Sequence, residues 1–142
     1  MGQQQLLLVI LVTIIVGIAT VVAINTFGSA ADSANLDAVR QDMASIAASA
    51  QGYYMKPGAL NGGGQDFSGM TFEDLAFGGD ITATNTIATN SNGTYKLGTV
   101  GPNSIELTGY PSSDPSYTEG TSPAADDPID ATIVPDNLNF DS

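Results

Sequence analysis

The chain of 142 residues contains no cysteine, no histidine and no tryptophan. Without cysteine there is no disulfide and no thiolate metal site. Without histidine, imidazole-based triads and zinc sites with nitrogen or sulfur ligands are excluded. No Cys-x-x-Cys-His run exists to attach haem, so neither haem nor any other cofactor is expected. Basic residues are almost absent as well: Arg40, Lys56 and Lys96 stand against 15 acidic residues, for a net charge of −12. So few cations cannot neutralise a phosphate backbone, so nucleic acid is not an expected partner. Docking on anionic lipid headgroups is disfavoured for the same reason. Proline does not occur before Pro57, so nothing in the first 56 residues forces a helix to break. These absences together argue against an enzyme.

What is present is unevenly distributed. The first charged side chain is Asp32, and nearly all charge after it is negative. Before it, Leu6 to Phe27 is an uninterrupted run of Leu, Ile, Val and Ala with a few polar residues. As a helix this run spans about 33 Å, enough to cross the hydrocarbon core of a bilayer. It is longer than the apolar core of a secretory signal, and no basic segment precedes it. A plain single-pass membrane anchor satisfies the same facts.

From Asn35 to Tyr54 the pattern becomes amphipathic. Leu36, Val39, Met43, Ile46, Ala50 and Tyr54 recur at steps of three and four, which places them on one helix face for packing against a sheet. Asp37, Arg40, Gln41, Asp42 and Gln51 fall mainly on the other side. Gly28 weakens the junction between the two segments, but Ala31 and Ala34 favour helix there. One helix is expected from about Gln3 to Tyr54, with a bend permitted near Gly28 and a stop at Pro57-Gly58.

The rest reads as a small head. Asn61 to Gln65 is a flexible glycine loop lacking a phosphate-loop lysine. Phe67, Met70, Phe72, Leu75 and Phe77 have the spacing of residues that pin a loop to a helix, with Thr71 as the N-cap of a short turn. Ile81 to Thr89 reads as a strand, Ser91-Asn92-Gly93 as a hairpin turn, and Thr94 to Val100 and Ser104 to Tyr110 as two more strands. Pro111 to Asp130 reads as a surface loop or a partly disordered segment, Ala131 to Val134 as a short last strand, and the remainder as an extended tail. The expected fold class is α+β: a long N-terminal helix packed on a small antiparallel sheet. The divisions are 1–27 (apolar half of the helix), 28–56 (amphipathic half), 57–80 (glycine-rich loop) and 81–142 (β head).

Few residues offer chemistry. Glu73-Asp74 and Asp126-Asp127 read as solvated surface rather than an acid/base pair. Asp126, Asp127 and Asp130 are hard oxygen ligands of the kind calcium takes, but they lack the spacing and turn glycine of an EF-hand. Asn92-Gly93-Thr94 fits the N-glycosylation sequon, making Asn92 a candidate modification site, although the same residues suit a hairpin turn. Thr82 to Thr94 is a weaker candidate for O-linked sugar. Phe27, Tyr53 and Tyr54 read as packing residues rather than an electron path.

An apolar helix running into an amphipathic one, then a glycine loop and a small antiparallel sheet, resembles the type IV pilins along the whole chain. The stretch LLLVILVTIIVGIA at 6–19 is similar to their assembly segment, and DAVRQDMASIAASAQGYY at 37–54 is similar to the second half of their stalk. The opening GQQQLLL and the QxYY element at 51–54 are similar to those of a group of bacterial pilin-like proteins. The resemblance implies a structural subunit that polymerises with copies of itself into an extracellular filament, having waited in the inner (cytoplasmic) membrane and been handled by a pilus assembly machinery. It implies that Gln5, Leu6, Leu7, Leu8, Ile10, Leu11, Ile14 and Ile15 line the filament core, followed by Gly17, Ile18, Val21, Val22 and Phe27. The sequence departs from the family in three ways. Gln5, or Leu7 if processing follows Gly2, stands where pilins usually carry a glutamate. No cysteine is available for the C-terminal disulfide. No proline loosens the helix, so residues 14–24 are expected to stay helical in the filament. The other readings are a minor pseudopilin of a secretion or DNA-uptake system and a membrane-anchored monomeric binding domain.

Overall fold

The computed structural model describes residues 2–114 and 128–141. The fold is α+β, with one long helix, α1, over Gly2–Met55 and a six-stranded antiparallel sheet. The helix continues through Gly28, and residues 14–24 are helical. By internal contacts the chain divides into two units, Met1–Ala34 and Asn35–Ser142.

The last regular bond of α1 runs from the Lys56 amide to the Gly52 carbonyl at 3.1 Å, and Pro57 has no N–H to continue. The helix end is closed by the glycine loop. Gly63 N donates to Tyr53 O, Gly64 N to Lys56 O and Gln65 N to Tyr54 O, at 2.8–2.9 Å. A segment expected to be flexible is thus the cap that satisfies the orphan carbonyls of the last turn. Small residues are what allow the chain to fold back so closely.

The strands are β1 (Asp80–Ile81), β2 (Ile87–Thr89), β3 (Gly93–Val100), β4 (Ile105–Pro111), β5 (Ile129–Val134) and β6 (Asn137–Phe140). They lie in the sheet in sequence order, a pure meander. Three expectations are corrected. Ile81 to Thr89 is not one strand. Residues 82–86 turn, with Asn85 in the left-handed region at φ 56° and its amide bonded to Thr82 O at 2.8 Å. The tail after Val134 is not free, because Asn137–Phe140 pairs with β5. The Pro111-to-Asp130 loop is shorter than expected at both ends, since Pro111 closes β4 and Ile129 and Asp130 open β5. Its middle, residues 115–127, lies outside the described residues.

Register aligns residues from four successive strands in each of three rows on the inner face. Ala88, Tyr95, Gly109 and Ile129 form one row, Leu97, Leu107, Ala131 and Phe140 a second, and Val100, Ile105, Ile133 and Leu138 a third. Val39, Met43, Ile46, Ala47 and Ala50 of α1 are buried in the same core. At Gly109 helix and sheet approach closely. A β-carbon there would lie 2.7 Å from Met43 Sδ and 2.9 Å from Val39 Cγ1. Phe67, Met70, Phe72 and Leu75, buried beside these, bring residues 57–80 into the core. Thr71 opens a 3-10 turn at Phe72–Asp74, and its amide and hydroxyl both donate to Asp74 Oδ2 at 3.0 Å.

Candidate functional site

Among the described residues of the unit Met1–Ala34 none is buried, so they form no core of their own. Fifteen large apolar side chains between Leu6 and Phe27 are exposed, from 47% at Ile10 to 76% at Phe27. Leu6, Leu7, Leu8, Leu11, Ile14, Ile15, Ile18, Val21 and Val22 are among them, while Gln5 and Gly17 are exposed on the same helix. These residues surround the helix on all sides, so no face is reserved for water. An apolar surface of this extent is not tolerated in water and marks a site of membrane or protein contact.

The few hydroxyls in the run are turned inward on the backbone. Thr13 Oγ1 donates to Val9 O at 2.7 Å, Thr20 Oγ1 to Val16 O at 2.8 Å and Thr26 Oγ1 to Val22 O at 2.9 Å. Each hydroxyl proton is therefore satisfied without water, as an apolar setting requires. Asn25 carries the one side-chain amide of the run. The helix is long and apolar enough to cross a membrane, by length and composition.

The unit Asn35–Ser142 contains a polar arrangement that the helical pattern did not reveal. Asp42, expected on the solvent side of α1, is half-buried against the sheet. Its Oδ2 accepts bonds from Asn90 Nδ2 at 2.8 Å, Asn92 Nδ2 at 2.8 Å and Tyr95 Oη at 2.7 Å. Two helical turns earlier, Asn35 Nδ2 donates to Asn92 O at 2.9 Å, and Asn35 Oδ1 accepts from Ser113 N at 3.1 Å. Toward the other end, Gln51 Nε2 donates to Val134 O and Asn137 O at 3.2 Å. Asn35, Asp42 and Gln51 thus fix this part of α1 to both sides of the meander. The signal for them in the sequence was weak: polar residues at the margin of an apolar stripe.

No family model, curated protein or solved structure matches the chain.

At Asn92, the amide nitrogen that a glycan would modify is the one donated to Asp42, and Thr94 of the sequon is fully buried with its hydroxyl 3.1 Å from that of Thr89. Of the carboxylates considered for calcium, Asp126 and Asp127 lie outside the described residues, and Asp130 sits in β5. Glu106, Asp130 and Asp141 line a shallow cavity of about 350 Å³ with Thr108 and Thr132. Among the described residues no three acidic groups are arranged to hold a metal ion.

Burial alone would raise the Asp42 carboxyl above its ordinary value. The bonds from Asn92, Tyr95 and Asn90 outweigh that and hold it lower. A carboxyl lowered by folding stabilises the fold above its unfolded value, and the contribution disappears as pH falls through its folded value, below 3.8. Asp42→Ala is expected to cost about 1–2 kcal/mol at neutral pH, given the partial exposure of the carboxylate. Urea unfolding should show this difference shrinking as the solution is acidified through that range. A constant difference would mean that the charge of Asp42 contributes nothing.

Proposed function

We propose that this chain is a structural subunit that polymerises through its apolar helix into an extracellular filament similar to a type IV pilus. The observation that carries the reading is the fifteen-residue apolar surface of Leu6 to Phe27, exposed on every side of a helix whose other half is built into a folded head. Before assembly this surface rests in the cytoplasmic membrane, and an assembly machinery moves it into a bundle of identical helices. Leaving lipid for protein changes apolar burial little, so close packing decides the balance. Gly17, Ala19 and Ala23 permit that packing, and Asn25 gains an amide partner in a neighbouring copy. The contact joins different faces of successive copies, so it propagates instead of closing. The role is structural rather than enzymatic, and nucleic acid is not a partner.

A second reading, a head anchored singly in a membrane, rests on the same span. Because the chain has no native cysteine, disulfide crosslinking of introduced cysteines can separate the two. In a propagating contact, one copy meets the next at different levels of the helix. A double variant such as Leu7→Cys with Ile14→Cys, oxidised in material sheared from cells, is expected to give a ladder of multimers in denaturing gels. Each single variant should give far less. Monomer alone, across several pairs spaced along 6–27, would support the anchored head and overturn the polymer.

A further inference from the structure

We infer that polymerisation of this chain is gated by cations through general screening of its acidic heads, an inference that rests on the polymer reading above. All of the charge lies from Asp32 onward, with a net value of −12. None of the carboxylates among the described residues is fully buried, and apart from the half-buried Asp42 most are exposed, so folding leaves most of the charge on the surface. Arg40, one of three basic residues, is 3.5 Å from Asp37 of its own helix. Assembly therefore brings together heads of the same sign with few cationic groups to set between them.

The helix contact has little to spare against this repulsion. Exchange of lipid for protein leaves the hydrophobic contribution nearly unchanged, and helices pack at about 8–10 Å between axes. Drawing the helices to that spacing draws their heads together too. Charges about 30 Å apart are separated by one Debye length at about 0.01 M salt, but by about three at 0.1 M and ten at 1 M. Repulsion between heads is therefore strongest at low salt and falls progressively as salt is added.

The cation requirement is one of charge rather than of identity. Glu106, Asp130 and Asp141 line one cavity, but no three acidic groups among the described residues are placed to hold a metal ion. Magnesium and calcium should then act equally. Both should act at lower concentration than sodium, because ionic strength weights each ion by the square of its charge.

The test uses the full chain in mild detergent, with the detergent removed by dialysis at about 0.01, 0.1 and 0.5 M NaCl. Polymer is measured by pelleting and negative-stain microscopy. The pelleted fraction is expected to rise at least about tenfold across this range. A variant with Asp32→Asn, Glu73→Gln, Asp80→Asn and Asp136→Asn, all exposed, has a net charge of −8 and should assemble at roughly half the salt or less. Its melting temperature, compared with that of the parent, reports whether the fold is retained. Equal polymer at the lowest and highest salt would overturn the gating and leave the polymer reading intact. An unshifted midpoint in the variant would do the same, pointing to salting-out of apolar surface. Calcium acting where magnesium does not would replace diffuse screening with a specific site. No polymer at any salt would overturn the gating, and the lack of crosslinked multimers in material sheared from cells would remove the polymer reading as well.

Discussion

Ile15→Asp is expected to abolish assembly while leaving the head folded at an unchanged melting temperature. Ile15 lies near the middle of the apolar run and is exposed. A carboxylate at the centre of a membrane span costs about 2.5–3.5 kcal/mol on insertion scales. In a helical polymer the same charge would recur in every copy along the core, so the penalty is met at every added subunit. The head should not register the change, because every residue of its hydrophobic core lies between Val39 and Ile133. Ile15→Leu, which keeps the run apolar, is the control and should assemble normally. By the same logic, a fragment beginning at Asn35 should be a soluble, cooperatively folding monomer by light scattering and circular dichroism. Filaments formed by that fragment, or by Ile15→Asp, would show that the heads assemble by themselves and that the apolar helix serves only as an anchor.

The two halves of α1 were legible for different reasons. The apolar half announces itself by lacking charge until Asp32, a signal that needs no knowledge of partners. The amphipathic half follows from the spacing of Val39, Met43, Ile46 and Ala50, all of which the structure buries. Asp42 escaped because its position, between Val39 and Met43, lies at the edge of that stripe. Whether an edge residue meets water or a turn depends on what the sheet presents there, and Asn90 and Asn92 are supplied from about fifty residues away. The sheet was legible where turns were marked by glycine and proline. It was misread where they were not. Threonine suits both a strand and a hydroxyl-bonded turn, so Thr82, Thr84 and Thr86 concealed the bend between β1 and β2. β6 was missed because asparagine is a poor strand former, although Leu138 and Phe140 alternate onto the inner face. The glycine loop offered no sign of its role, since capping is carried by backbone amides and leaves no trace in side-chain pattern.

Phe72→Ala is expected to destabilise the head by about 3–5 kcal/mol, the range for a fully buried phenylalanine. Phe72 is completely inaccessible. Its ring lies 5.8 Å from that of Phe77, which in turn meets Tyr95 edge-on at 5.2 Å. Its amide donates to Asn85 O at 2.9 Å, joining the 57–80 segment to the turn between β1 and β2. That segment contains no strand before Asp80 and two short 3-10 turns. Its place therefore depends on Phe67, Met70, Phe72 and Leu75 and on a few backbone bonds. With no disulfide to limit the damage, a loss of this size is a large part of the roughly 5–15 kcal/mol that a domain has in total. The glycine cap on α1 belongs to the same segment, so fraying at Met55 should accompany the loss. Chemical denaturation should show a lower midpoint, and amide exchange at Gly63 to Gln65 should speed up. Phe72→Leu, which keeps most of the volume, should lose much less. Equal loss in both variants would show that the ring contact with Phe77, rather than the filled volume, holds the segment in place.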